Sequence, residues 1–299
     1  MYIYIYIILL LIIFLMLTKN KKEFFSNENI KLNDWLNSPT TIKIFSYLFN
    51  DINNYNNIEI HTQSTQPTNQ NKKTLYVQYS GESYGKNEDL YNINFVPDTN
   101  TKNNIIFPYG ALYMYTLNLD KQYFLTKRNI TNTYHKHFCL FSVSNSRCHQ
   151  RNNFFNKLKK YKHINSCGKL FNNMECPANF ASKEYADLIK THKFMICFEN
   201  ETIPNYFTEK LINAYYNNTI PIYWGCPNIE HYVNLNSILY LSPEYSQEEE
   251  DALIKQIIYL DNNPDEYKKK YESIFFKNGH LPDDFNLEKI KEKVNNILI

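Results

Sequence analysis

Residues Phe194–Gly225 read FMICFENETIPNYFTEKLINAYYNNTIPIYWG, and their pattern decides the fold class. Phe194–Phe198 is a short apolar run of the kind that forms a strand buried on both faces. After Glu199 and Asn200, a turn through Pro204 and Asn205 leads to Thr208, where a helical pattern begins with Leu211, Ala214 and Tyr215 three and four residues apart. Asn217 and Asn218 stop it, and Ile220–Trp224 is a second buried strand. Strand, helix, strand within about 30 residues is one βαβ unit of an α/β fold, whose crossover is right-handed. Ligands of such units sit beyond the carboxyl ends of the strands, near the helix N-terminus. Glu199, Asn200, Tyr206, Thr208, Glu209 and Lys210 fall there. Free backbone N–H groups, the helix dipole and the lysine charge suit the place to an anion, most simply a phosphate.

Phe198-Glu199-Asn200, then Tyr206-Phe207-Thr208-Glu209-Lys210, then Ile220-Pro221-Ile222-Tyr223-Trp224-Gly225 resemble, in order and spacing, the signature of the α1,3-fucosyltransferases, glycosyltransferase family 10. Any one of these residues alone has a bland reading, Glu199 and Asn200 as turn formers and Lys210 as a surface lysine. The whole string does not. The resemblance implies a GT-B fold, two Rossmann-like domains facing each other across a cleft. The N-terminal domain would hold the acceptor glycan and the C-terminal domain the donor substrate, GDP-fucose. It further implies that Asn200, Tyr206, Glu209 and Lys210 bind the donor, with Thr208 in support. Glu209 would accept hydrogen bonds from ribose or sugar hydroxyls, Lys210 would neutralise phosphate, and Tyr206 would line the nucleotide pocket. Glu199 would either stabilise positive charge developing on the fucose ring or fix the turn. Glu201 departs from the family, which has a small residue after Phe-Glu-Asn.

Glu82 follows the strand pattern LYVQY in Ser80-Gly81-Glu82, which places its carboxylate at a strand's carboxyl end, facing an interdomain crevice. Gly81 is expected to allow a tight turn there. This Gly-Glu resembles the family's general base, which takes the acceptor hydroxyl's proton as that oxygen attacks the anomeric carbon opposite the nucleotide. The plainer alternative is a surface-loop glutamate. Arg151 opens the helical pattern Arg151–Ile164 beside Asn152, and the resemblance implies an arginine here on the diphosphate; Arg147 is the competing candidate. A guanidinium fork suits two phosphate oxygens and the charge of departing GDP.

The composition bounds the alternatives. The chain has 299 residues, 43% of them hydrophobic, enough for one large core or two ordinary ones. A formal charge of +2 implies no nucleic-acid partner. Neither a Gly-rich dinucleotide fingerprint nor a P-loop is present. No D-x-D motif occurs, so no metal is called for and protein cations would meet the diphosphate; no cofactor is required. Six cysteines lack any C-x-x-C pair, which argues against zinc. Those from Cys139 to Cys176 could hold a disulfide in an oxidising compartment, but mostly free thiols are expected. His135 and His137, spaced H-x-H, read as strand-edge residues.

Residues 1–18 form an uncharged apolar segment followed by Lys19, Lys21 and Lys22. At 1.5 Å per residue, residues 1–17 span about 25 Å as a helix, and with no basic n-region or cleavage site they predict a single-pass membrane anchor. The downstream lysines favour a cytoplasmic domain, whereas the resembled family's eukaryotic members face the Golgi lumen. The sequons at Asn200 and Asn217, where a glycan would be disruptive, agree with the lysines.

Residues 19–40 read as a tether, 41–135 as the N-terminal acceptor-binding α/β domain, and 136–299 as the C-terminal GDP-sugar-binding α/β domain with C-terminal helices. Strands are expected at Thr41–Phe45, near Ile58, and at Leu75–Tyr79, Asn92–Val96, Asn104–Phe107, Phe138–Val143 and Ile238–Leu241. Residues 109–135 join the halves without a clear pattern. Ser182–Thr191 is a helix. Ser246 with Glu249 caps another, Asn263-Pro264 opens the next, and Leu287, Ile290, Val294 and Ile297 mark the last. The functional expectation is inverting transfer of fucose to a hydroxyl of a GlcNAc- or glucose-type acceptor in α1,3 linkage. The rivals are a related transferase using another nucleotide sugar and a non-catalytic, membrane-anchored carbohydrate-binding relative.

Overall fold

The computed structural model describes residues 29–33, 36–85, 88–98, 101–129 and 135–299. The anchor predicted over residues 1–18 lies outside them; among the described residues, no helix is long and apolar enough to cross a membrane. In the first domain, strands β1 (Ile30–Leu32), β2 (Asn57–Thr62), β3 (Thr74–Tyr79), β4 (Ile93–Phe95) and β5 (Asn104–Ile105) form one sheet in chain order. Every pairing in it is parallel. β1 lies inside the segment read as a tether: Ile30 and Leu32 are buried, and Lys31 between them is exposed.

The strand expected at Thr41–Phe45 is instead part of helix α1 (Pro39–Phe49). Its β-branched residues imitate a strand over five positions. Over eleven, the buried Thr41, Ile44, Phe45, Leu48 and Phe49 keep helical spacing. The start signal is local as well: Ser38 accepts from the Thr41 N–H, and Pro39 occupies the first turn. Residues 109–135, left unassigned by pattern, hold α2 (Tyr109–Thr116) and the single-turn α3 (Gln122–Leu125). Beyond α3, the Arg128 guanidinium lies 3.7 Å and 4.0 Å from the ring centres of Tyr215 and Tyr271. It donates to the carbonyls of Tyr271 (2.9 Å), Tyr215 (2.9 Å) and Thr219 (3.1 Å). The linker is thus fastened to the second domain by a buried cation.

The second sheet contains β6 (His137–Ser142), β7 (Ile164–Cys167), β8 (His192–Ile196), β9 (Ile220–Tyr223) and β10 (Leu239–Tyr240) in the order β10-β9-β8-β6-β7, again all parallel. Helices α4 (His149–Leu158), α5 (Lys183–Lys190) and α6 (Glu209–Tyr216) connect its strands. Alternation along the strands fills both faces. Leu140, Met195 and Tyr223 enter the core continuous with the first domain; Phe141, Phe194, Ile196 and Ile222 enter a second core.

The Ser246–Glu249 capping box is present and opens α7 (Gln247–Asn262), and α8 (Pro264–Tyr271) follows with its proline in the first turn. The last helix, α9 (Leu287–Leu298), returns to the first domain, where Lys291 pairs with Asp51 at 2.8 Å. Nearby, the Tyr115 hydroxyl donates to the Phe285 carbonyl at 2.7 Å.

Mostly free thiols are found, as expected, and the one disulfide falls among Cys139 to Cys176, where the sequence left a pairing open. Cys167 and Cys176 form a disulfide, while Cys139, Cys148, Cys197 and Cys226 are free and buried. Six cysteines allow fifteen pairings, and this one depends on the loop after β7 folding back.

His192, at the start of β8, is fully buried and bonded to Asn165, with its ring 5.0 Å from that of His137. Burial pushes its imidazole down to about 4, with His137 and His135 adding to the shift and the Leu188 carbonyl opposing it. A histidine kept neutral by folding stabilises the chain fully above its ordinary value of 6.5, and that contribution drains away as pH falls toward 4. The loss should be on the order of 3 kcal/mol. Urea midpoints measured between pH 7.5 and 4.5 should therefore fall more steeply for the native chain than for His192→Gln; equal slopes would contradict this.

Candidate active site

In the second sheet the chain runs from β6 outward to β7 and then returns to place β8 on the other side of β6. That reversal leaves a crevice beyond the carboxyl ends of β6 and β8, where α/β folds bind ligands. A cavity of about 270 Å³ opens there, lined by Ser142 to Asn145, Arg151, Phe180, Tyr185, Met195, Asn200, Glu209, Lys210 and Asn213. A second cavity of about 290 Å³ lies toward the first domain, lined by Gln63, Gly81, Glu82, Tyr109, Asn200, Tyr206, Thr208, Glu209 and Lys210. Asn200, Glu209 and Lys210 line both, so the two spaces share a wall.

Glu199 organises that wall. It is wholly buried and accepts from the Thr208 N–H at 2.8 Å, from the Thr208 hydroxyl, and from the Lys210 ammonium at 2.9 Å. Thr208 also caps α6, so one buried carboxylate sets both the helix start and the lysine beside it. Gly225 leaves room for it: at φ +154 a Cβ there would come within 2.6 Å of Glu199 Cγ. Burial alone would pull the Lys210 pKa down, but Glu199 and Glu209 more than reverse this and hold it above its ordinary value. Lys210 is therefore a permanent cation. Of the two expectations for Glu199, fixing the turn is the one these contacts describe; it lines neither cavity.

Arg151 lines the first cavity, and its guanidinium is more fully engaged than a free phosphate fork would be. It donates to Asn145 O (2.7 Å), Phe198 O (3.3 Å) and Asn200 Oδ1 (3.0 Å), while its buried Nε has no partner among the described residues. Arg151 thus braces Asn200 and the end of β8 as well as adding charge. The competing Arg147 is exposed and lines neither cavity.

Glu82 stands beyond β3, and its Oε2 accepts from the Tyr206 hydroxyl of the other domain at 3.5 Å. Its turn differs from expectation. Gly81 does not take a left-handed φ; the Ser80 hydroxyl instead accepts from the Glu82 N–H and donates to the Tyr84 carbonyl. Burial raises the Glu82 pKa above the usual carboxylate value, Glu209 and Glu199 adding to the effect while Lys210 and the Tyr206 hydrogen bond oppose it. Tyr206 is buried, and its hydroxyl is held far above the ordinary tyrosine value, first by burial and then by Glu199 and Glu82, so it acts as a donor.

Pattern reading did not find Tyr109, Phe180, Tyr185, Asn213 or Gln63, which carry no local signal beyond ordinary helix and loop positions. The two histidines read as strand-edge residues lie away from both cavities: His137 is exposed at the start of β6, and His135 bonds the Asn218 carbonyl at 2.8 Å. Among the described residues, no group of three or more His, Cys, Asp or Glu side chains could hold a metal ion.

Two parallel α/β sheets that meet over one shared wall at their strand ends make this a GT-B fold. Solved structures agree. A crystal structure of an α1,3-fucosyltransferase superposes with a TM-score of 0.68 at 19% identity, covering 90% of this chain and 89% of that one. A structure of an α1,3-fucosyltransferase with GDP superposes with a TM-score of 0.65 at 20% identity and the same coverage.

Residues 132–274, just under half of the chain, match the model of glycosyltransferase family 10 (fucosyltransferase) C-term. An α-(1,3)-fucosyltransferase of Helicobacter pylori is 31% identical over 130 residues, 44% of this chain and 26% of its own length. A GDP-fucose protein O-fucosyltransferase 3 of Xenopus tropicalis is 26% identical over 164 residues, 53% of this chain and 33% of its own length. The chain thus spans about a quarter to a third of the length of these relatives.

Proposed function

We propose that the chain is an inverting fucosyltransferase that moves L-fucose from GDP-fucose to a hydroxyl of a GlcNAc- or glucose-type glycan, forming an α1,3 linkage. The observation that carries this reading is the shared wall. Lys210 and Arg151 border one cavity, Lys210 and Glu82 the other, so a cation and a carboxylate can face one sugar from two sides. The nucleotide and its diphosphate occupy the cavity at the switch point, with Lys210 and the start of α6 meeting the charge on GDP as it leaves. The fucose ring lies at the shared wall. Glu82 accepts the acceptor hydroxyl's proton as that oxygen bonds the anomeric carbon and the bond to the diphosphate breaks on the opposite face.

A donor and acceptor array tests this. The donors are GDP-fucose, GDP-mannose and UDP-sugars; the acceptors are N-acetyllactosamine-type oligosaccharides, hydroxyl-bearing peptides and water. Fucose on the oligosaccharide from GDP-fucose alone supports the reading. Use of another donor moves the chain to a related transferase, a fucosylated peptide changes the acceptor class, and GDP binding without turnover marks a carbohydrate-binding relative. Lys210→Ala should weaken GDP binding by about ten- to hundredfold, as loss of a charge-assisted contact does. Calorimetry on folded protein measures this directly; undiminished affinity would remove Lys210 from the donor site.

A further inference from the structure

The residue that departs from the family pattern has a partner in the other domain. Glu201 Oε2 accepts from the Ser83 hydroxyl at 2.5 Å, across 118 positions of sequence. Ser83 is buried and follows Glu82 directly, whereas Glu201 is exposed. We propose that Glu201 is a positioning residue whose bond to Ser83 fastens the Glu82 turn of the first domain to the donor loop of the second. The inference rests on the reading of Glu82 as the general base.

The loop from Glu199 to Thr208 is closed at its base by the Glu199–Thr208 bonds, so it is a firm object to fasten to. Tyr206 touches the Glu82 carboxylate from this loop, but at 3.5 Å that contact is too long to hold it alone. On its own side the turn is tied at its backbone by Ser80. Asn205 and Phe207 tie the loop to Pro97 and Gly110 of the first domain, but on the Glu82 turn itself Glu201 supplies the second point of attachment, and two such points fix an orientation where one leaves a pivot. A base must sit within hydrogen-bond reach of the proton it takes, and misplacement by about 1 Å can cost on the order of a hundredfold in rate.

Because Glu201 is exposed, replacing it leaves the core intact. Glu201→Ala should lower kcat on the order of tenfold with GDP affinity unchanged. Ser83→Ala should match it, and the double variant should lose no more, as expected when two residues act through one contact. Glu201→Gln keeps an acceptor oxygen at the same reach and should restore most of the rate.

Glu82 faces Lys210, Glu209 and Glu199 as well as Tyr206. A loosened turn lets water reach its carboxylate, so the acidic limb of the rate profile should move toward the ordinary carboxylate range in Glu201→Ala. Amide hydrogen exchange over residues 81–85 of the full chain gives a readout without an acceptor: faster in both alanine variants, unchanged in Glu201→Gln. Native kcat and native exchange in Glu201→Ala, alongside loss of turnover in Glu82→Gln, would overturn the fastening and leave the base reading standing. Retained turnover in Glu82→Gln would instead remove the base, and the fastening with it.

Discussion

Glu82→Gln is expected to lower kcat for fucosyl transfer by about 10²- to 10⁴-fold, the usual loss when a positioned base is removed, while the Kd for GDP stays unchanged. The two effects separate because Glu82 lines the cavity on the first-domain side and not the one bordered by Arg151. The pH profile adds a second signature. A base works unprotonated, and burial lifts this carboxyl above its ordinary 4.5, with Glu209 and Glu199 adding to the rise and Lys210 and Tyr206 limiting it. Activity should therefore be lost on the acid side at a higher pH than an exposed glutamate would give. The limb should be missing from whatever residual rate the glutamine variant retains. An unchanged kcat, or a limb that survives the substitution, would sink the assignment.

Arg128→Ala should be the most damaging stability change, at about 3–5 kcal/mol. It removes the guanidinium from the carbonyls of Tyr271, Thr219 and Tyr215, of which Tyr215 keeps the Asn218 N–H at 3.2 Å, and removes a cation held between two rings. Arg128→Lys keeps the charge but neither the planar stack nor the fork, and should recover only part of the loss. Urea unfolding gives both numbers from the midpoint at constant m-value. A loss below about 1 kcal/mol for the alanine variant would mean that water replaces the guanidinium without penalty.

What could be read from sequence and what could not divides along distance in the chain. The βαβ unit around Glu199 and Lys210 was legible because its apolar runs, its Thr208 cap and its Asn217–Asn218 stop lie within one window. Helix α1 was misread because a five-residue window favours the β-branched Thr41, Ile42 and Ile44, whereas the cap at Ser38 and the burial of Phe49 lie outside it. Arg128 gave no signal: the carbonyls it serves stand 87 to 143 residues away and belong to the backbone, which no residue identity reveals. The Ser83–Glu201 bond and the Cys167–Cys176 disulfide likewise exist only once the chain has folded back on itself. At the site, the residue types pointed to an anion and a base. That Arg151 spends most of its hydrogens on Asn145, Phe198 and Asn200 emerges only from the packed structure.

Helix α9 has a consequence for biosynthesis. Its residues 287–298 are translated after every strand of the second sheet, yet Lys291 pairs with Asp51 beside α1, the first α-helix among the described residues. The amino-terminal half therefore waits on the ribosome with that flank uncovered, and the flank is covered only when α9 emerges. Nascent chains arrested before residue 287 should be protease-sensitive around α1, even where their own sheet is complete.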